Sequence, residues 1–251
     1  MSEAKSQIDK DDIPLPYWII VVVFPLMIVL VFGLFLFPAS GWAWDWWEAW
    51  AVIGSMGIIV TIGYAIINKK NPRVIRNRAK MKKVGVTKET KKSAGSDWYV
   101  MPLMTIGFLV GFVYPAVEKR FENIWNPYPF PIPWWAEIIG FVFMCGGFII
   151  IMWAQVQNAF ASKILDINKD QKLIDTGLYG KVRHPIYSGA FFWAIGTPLA
   201  LGSIIAIVGS FLVIISLLIR IKPEEDMLIK GMDGYEDYRQ RVKYKLFPGI
   251  Y

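Results

Sequence analysis

Between Tyr17 and Phe37 the chain runs through 21 nearly unbroken apolar residues. At about 1.5 Å per helical residue, that length matches the roughly 30 Å hydrocarbon core of a bilayer. A cleavable signal peptide is the competing reading, but its apolar region would be only about 7–15 residues long. The run is therefore read as a retained membrane span. Glu48–Ile67, Trp98–Ala116 and Trp134–Val156 repeat the pattern. Ile186–Ile221 holds 36 residues, too many for one straight crossing. Gly202-Ser203 within it reads as a hairpin between two helices. The first of these, Ile186–Leu201, is short and carries Thr197-Pro198, so tilt or kinking is expected. The expected fold is all-α: a multi-pass transmembrane bundle of about six spans.

Composition agrees, at 55% apolar residues with a mean hydropathy of +0.41; soluble domains run nearer 45–50% apolar. The net charge of +7 could suggest nucleic acid, but the basic residues collect in particular loops. Asn68–Ser96 alone carries eleven lysines and arginines against one acid, Glu89. That asymmetry fits a cytoplasmic loop under the positive-inside rule, drawn to anionic lipid heads, and no nucleic-acid partner is expected. Six spans place both termini and the stretches 68–96, 157–184 and 220–251 on that same side. Val117–Pro133, with two basic residues and four prolines beyond its start, is the external loop. Residues 1–12 are polar and expected to be mobile. Trp42, Trp44, Trp46 and Trp47 read as an interfacial belt. Gly107-x-x-x-Gly111 permits close helix approach. One cysteine, Cys145, and one histidine, His184, exclude an intramolecular disulfide and a cysteine-based zinc cluster, and no metal site is expected.

Polar chemistry concentrates where the last hairpin enters the membrane, in Asp175-Thr-Gly-Leu-Tyr-Gly-Lys-Val-Arg-His-Pro-Ile-Tyr-Ser-Gly189. Pro185 suits the first turn of a helix and pushes His184 into an extended conformation just before it. Arg183 and His184 then flank a helix N-terminus, which favours an anionic ligand group. A second cluster, Arg220-x-x-x-Glu224-Glu225-x-x-Leu228, follows the last span. The hairpin returns the chain to the same surface, so both clusters can line one cavity. Gln155, Gln157 and Asn158, at the end of the fourth span, either mark the interface or reach a polar ligand. From Lys222 the tail is charged but patterned. Leu228, Met232, Tyr235, Tyr238 and Val242 share one helical face, which predicts an amphipathic C-terminal helix on the bundle or membrane surface. Pro223 can open it, with Glu224, Glu225 and Asp226 in its first turn.

Taken together, Gly-x-Tyr-x-x-x-Arg-His-Pro-x-Tyr-x-Gly, then Arg-x-x-x-Glu-Glu-x-x-Leu, Tyr-x-x-Tyr and a terminal Pro-Gly-Ile-Tyr closely resemble the isoprenylcysteine carboxyl methyltransferase family, itself related to phospholipid N-methyltransferases. The resemblance covers about Gln171 to Tyr251; the four earlier spans match in character only. It implies S-adenosylmethionine as cofactor, bound without a Rossmann domain, and a methyltransferase core over 134–251 behind a scaffold over 1–133. By position, Gln171, Lys172, Leu173 and Ile174 match a strand-like segment laid along the cofactor, and Tyr179 a cofactor-contacting tyrosine. Arg183 belongs to the cofactor motif, whose centre His184, Pro185, Ile186 and Tyr187 match. Glu224 matches the acid contacting S-adenosylmethionine, and Arg220 the arginine facing the substrate. Leu178 stands where proline is common, and Gly231-Met-Asp-Gly234 replaces the usual Phe-Gly before Tyr235.

The expected reaction is in-line methyl transfer to a lipid-like molecule entering sideways from the bilayer, most simply carboxyl O-methylation of an isoprenylcysteine-like substrate. The candidate catalytic residues are Arg220, Tyr187 and Glu225. Arg220 would orient a carboxylate nucleophile, whereas an amine nucleophile would need a base such as Glu225. The rivals are a phospholipid or amine N-methyltransferase, a sterol-reductase-like enzyme using a nicotinamide cofactor, and a transporter or lipid sensor. The spans have almost no ionisable residues at their centres, which argues against ion coupling. Such a protein resides in a prokaryotic cell membrane or the endoplasmic reticulum.

Overall fold

The computed structural model describes residues 15–70, 75, 97–121, 132–158 and 173–250. Gln171 and Lys172, and the basic stretch 71–96 apart from Ile75, lie outside that set. Among the described residues every regular element is helical. Four helices are long and apolar enough to cross a membrane: α1 (Ile19–Ala39), α2 (Trp47–Lys70), α3 (Trp98–Phe121) and α4 (Trp134–Gln157). All four fall where the apolar runs predict, with ends shifted by a few residues. Then come α5 (Pro185–Ala200), α6 (Ile207–Gly231) and the short α7 (Tyr235–Arg241).

The hairpin between α5 and α6 turns at Gly202, whose φ of +79° lies in the left-handed region that favours glycine. Its arms are short in apolar reach. Helix α5 has 16 residues, and the apolar part of α6 gives way at Arg220. Both pack through glycines rather than through side-chain bulk. A methyl group on Gly147 would lie 2.5 Å from the backbone N of Trp193, and one on Gly189 would lie 2.5 Å from the carbonyl O of Gly147. Gly140 and Gly196 repeat the arrangement one heptad away, so α4 and α5 touch backbone to backbone. The expected approach at Gly107-x-x-x-Gly111 is present too, since a methyl on Gly209 of α6 would sit 2.5 Å from the Gly107 carbonyl. These contacts fix α5 and α6 against α4 and α3, and thereby fix the position of everything at the hairpin's open end.

Two local expectations change. Trp42, Trp44 and Trp47 are exposed, as a belt requires, but Trp46 is buried with Phe37, Ala49 and Phe112 in the main core. Pro223 opens no new helix. It lies inside continuous α6, where buried Leu217 and Ile221 on the preceding turns hold the helix despite the lost backbone bond. Residues of the expected amphipathic face lie on two helices, α6 and α7, with a turn between them at Gly234, whose φ is +77°. Tyr235, Tyr238 and Val242 pack with Leu173, Leu228 and Met232, so this face covers the bundle's own end.

Candidate active site

Pro185 begins α5 and His184 is its N-cap, at φ −122° and ψ 63°. The residues before it are tied to the chain's C-terminal segment. The Arg183 N–H donates to the Tyr244 carbonyl (3.0 Å), and the His184 N–H to that of Lys245 (2.9 Å). One turn into α5, Ser188 Oγ donates to the Leu246 carbonyl (2.6 Å). Residues 242–246 thus form a strap across the helix start.

The Arg183 guanidinium holds that strap to α6. Its Nε donates to Glu225 Oε1 (2.6 Å) and Nη2 to Oε2 (3.4 Å), while Nη1 reaches the Val242 and Lys243 carbonyls (2.8 and 2.9 Å). His184 Nε2 lies 3.1 Å from Glu225 Oε1; because a carboxylate only accepts, the proton sits on Nε2. All three side chains are buried. Burial alone would raise the Glu225 pKa, but hydrogen bonds from His184 and Arg183 and their charges outweigh it and hold it at about 2.

Glu224, next along α6, faces a different environment. The Tyr187 hydroxyl donates a short hydrogen bond to its Oε2, and His184 Nδ1 stands 4.0 Å from its Oε1. The His184 and Tyr187 rings stack at 5.4 Å. With 25% of its side chain exposed, Glu224 is the carboxylate of this pair open to a ligand. Arg220 lies one turn earlier on the same face of α6, buried, with Nη1 3.7 Å from Met101 Sδ of α3.

On the adjacent side, the Tyr238 hydroxyl donates to the Tyr179 carbonyl (2.7 Å). The turn at Gly177 (φ +63°) is held from α4, where Gln157 Oε1 accepts from the Leu178 N–H (3.0 Å). Gln157 therefore supports the site's framework, a role outside both readings given for it. The Tyr235 hydroxyl is buried and has no hydrogen-bond partner among the described residues.

The structure thus brings together Arg183, His184, Tyr187, Glu224 and Glu225, with Pro185 buried and Ile186 partly so in the first turn of α5, and Tyr179 and Leu173 alongside. Leu173 and Ile174 have no strand structure. The geometry bears on two expected roles. Four of the five Arg183 N–H donors are directed at the protein itself, so Arg183 clamps the strap to α6. Glu225, ion-paired and held near pKa 2, is a poor proton acceptor, and the anion meeting Arg183 and His184 is this carboxylate rather than a ligand. Sequence reasoning gave no role to Ser188 or the strap. Their signal is weak, because the partners at 242–246 are backbone carbonyls, which any residue supplies.

Residues 138–230 match the isoprenylcysteine carboxyl methyltransferase (ICMT) family. The chain is 42% identical over 77 residues to a protein-S-isoprenylcysteine O-methyltransferase of Schizosaccharomyces pombe, covering 30% of this chain and 33% of that protein. It is 31% identical over 154 residues to a Dictyostelium discoideum protein of the same name, covering 60% and 62%. A probable protein-S-isoprenylcysteine O-methyltransferase of Oryza sativa subsp. indica is 33% identical over 114 residues, covering 43% and 60%. The chain thus spans between a third and about three-fifths of these curated relatives.

Proposed function

We infer, from a chain whose residues 138–230 are of the isoprenylcysteine carboxyl methyltransferase family, that this protein is an integral-membrane methyltransferase using S-adenosylmethionine. Its substrate is a lipophilic molecule bearing a carboxylate, of the isoprenylcysteine type. The observation that carries the reading is the split environment of the two acids on α6. Glu225 is consumed by Arg183 and His184, whereas Glu224 keeps an accessible edge beside Tyr187. Such a site binds a cationic or hydroxyl-bearing ligand at Glu224 and offers no buried base at Glu225. Methylation of a carboxylate needs no proton removed, while an amine must first be neutral, so the geometry favours O- over N-methylation.

The residues present suit the cofactor: an accessible carboxylate, a stacked His184–Tyr187 pair, and a buried Tyr235 hydroxyl without a partner among the described residues. Glu224, Tyr187, Tyr179 and the 171–174 segment would hold it. When bound, it supplies an electrophilic methyl on a sulfonium, itself a good leaving group. The chain contributes position and exclusion of water. Arg220, on the Glu224 face, would orient the acceptor carboxylate through its planar fork. Two turns deeper, α3, α5 and α6 form a crevice lined by Phe108, Trp193, Thr197 and Val213.

In this reading α5 and α6 complete six crossings, and the termini, basic loops and site share the cytoplasmic side. Residues 134–251 form the core. The 1–133 scaffold meets it at several places, among them Gly107 against Gly209 and Met101 beside Arg220. The test is a melting series on the detergent-solubilised full chain, followed by transfer of labelled methyl to an N-acylated farnesylcysteine. S-adenosylhomocysteine at 100 times its Kd should add about 2.7 kcal/mol of stability. Stabilisation by a nicotinamide nucleotide alone would instead support the reductase alternative.

A further inference from the structure

Tyr235 starts α7 immediately after the left-handed Gly234, which fixes where its side chain enters the protein. Its ring is 3% exposed and packs at 5.5 Å from the Tyr238 ring, within the cluster that includes Leu173 and Leu228. The neighbouring tyrosine shows what a buried hydroxyl here ordinarily does: Tyr238 donates to the Tyr179 carbonyl at 2.7 Å. The Tyr235 hydroxyl, in the same cluster, has no partner among the described residues. A buried hydroxyl left unpaired is destabilising, whereas phenylalanine would fill the same space without that cost.

The surroundings narrow what the partner can be. Leu173 belongs to the segment that matches the cofactor-lining stretch, and it packs beside Gly234, where an added methyl would sit in ordinary contact, 3.8 Å from Leu173 Cδ2. Burial, and then the Glu225 carboxylate, raise the Tyr235 pKa, so the phenol remains neutral and able to donate. An apolar cluster with one neutral hydroxyl suits an uncharged ligand portion with hydrogen-bonding edges; a charged group would be drawn to Glu224.

We propose that the buried hydroxyl of Tyr235, at the Leu173 edge of the site, is a further cofactor-binding group that hydrogen-bonds the nucleoside half of S-adenosylmethionine. The proposal rests on the methyltransferase reading and adds to it a residue to which the alignment of motifs gave no role.

The test is Tyr235→Phe in the full chain in detergent, measured by calorimetric titration with S-adenosylhomocysteine and by melting without ligand. Wild type should bind, and Y235F should bind about 3- to 10-fold more weakly, the range expected for one neutral hydrogen bond. The ligand-free variant should melt at the same temperature or higher, because an unpaired hydroxyl has been removed. Equal affinity in the two proteins would overturn the proposal. A lower melting temperature for ligand-free Y235F would also overturn it, since the hydroxyl would then have a protein partner. Failure of the wild type itself to bind would instead reject the methyltransferase reading, and this inference with it.

Discussion

Replacing Arg183 by lysine keeps the positive charge and removes the fork, which isolates what the clamp contributes. The arginine makes two bonds to Glu225 and two to the Val242 and Lys243 carbonyls, three of them buried and the last partly so. A lysine ammonium on a shorter reach can keep the Glu225 contact but cannot span to both carbonyls. Removing one partner of a buried pair costs about 3–5 kcal/mol. With the charge retained, the loss should be about 2–4 kcal/mol. At roughly 2–4 °C per kcal/mol for a chain of this size, melting should fall by about 5–15 °C. The comparison is Arg241→Ala. That arginine also pairs at 2.8 Å, with Asp175, but the side chains are 62% and 34% exposed, so the pair contributes under about 1 kcal/mol. Tryptophan fluorescence in detergent gives the melting temperatures. Hydrogen exchange should show the backbone N–H groups of residues 183 and 184 opening about 30- to 1000-fold more readily in R183K. If R183K melts within about 2 °C of wild type, or R241A is the more damaging change, Arg183 is not the clamp.

The acid limb of stability should report Glu225. Its folded pKa of about 2 lies below the usual 4.5, so its contribution is fully present above about pH 4.5 and is lost as pH falls toward 2. That gap corresponds to roughly 3 kcal/mol, and Glu225→Gln should flatten the melting-temperature profile over that window while lowering it at neutral pH. In the membrane, Gly147→Leu should abolish folding or lower melting steeply, because the new side chain meets the backbone of α5 at Gly189 and Trp193. Gly54→Ala, with nothing within 4 Å of the added methyl, should be neutral or slightly stabilising in the same assay.

Much of the architecture was legible from spacing alone, and the reason is the bilayer. Hydrocarbon demands an apolar run of fixed length, so α1 to α4 are recoverable to within a few residues. Pro185 announced the start of α5 because it can occupy a first helical turn and constrains the residue before it. The same local rule misled at Pro223, where the burial of Leu217 and Ile221 overrides a weak helix-start signal. Trp46 was grouped with an interfacial belt for a similar reason: composition places a tryptophan near the interface but does not say which way it points.

By itself the sequence determined four apolar helices long enough to cross a membrane, the meeting of two polar clusters at one end of a hairpin, and the family that residues 138–230 match. Only the tertiary structure decided which groups satisfy one another. Adjacent acids Glu224 and Glu225 are equivalent in spelling, yet about 100° apart around a helix. One is therefore enclosed by Arg183 and His184, while the other keeps an open edge beside Tyr187. The strap is invisible in the chain for a further reason: its bonds run to main-chain carbonyls, which carry no residue identity, across about 60 residues of sequence that only folding brings together.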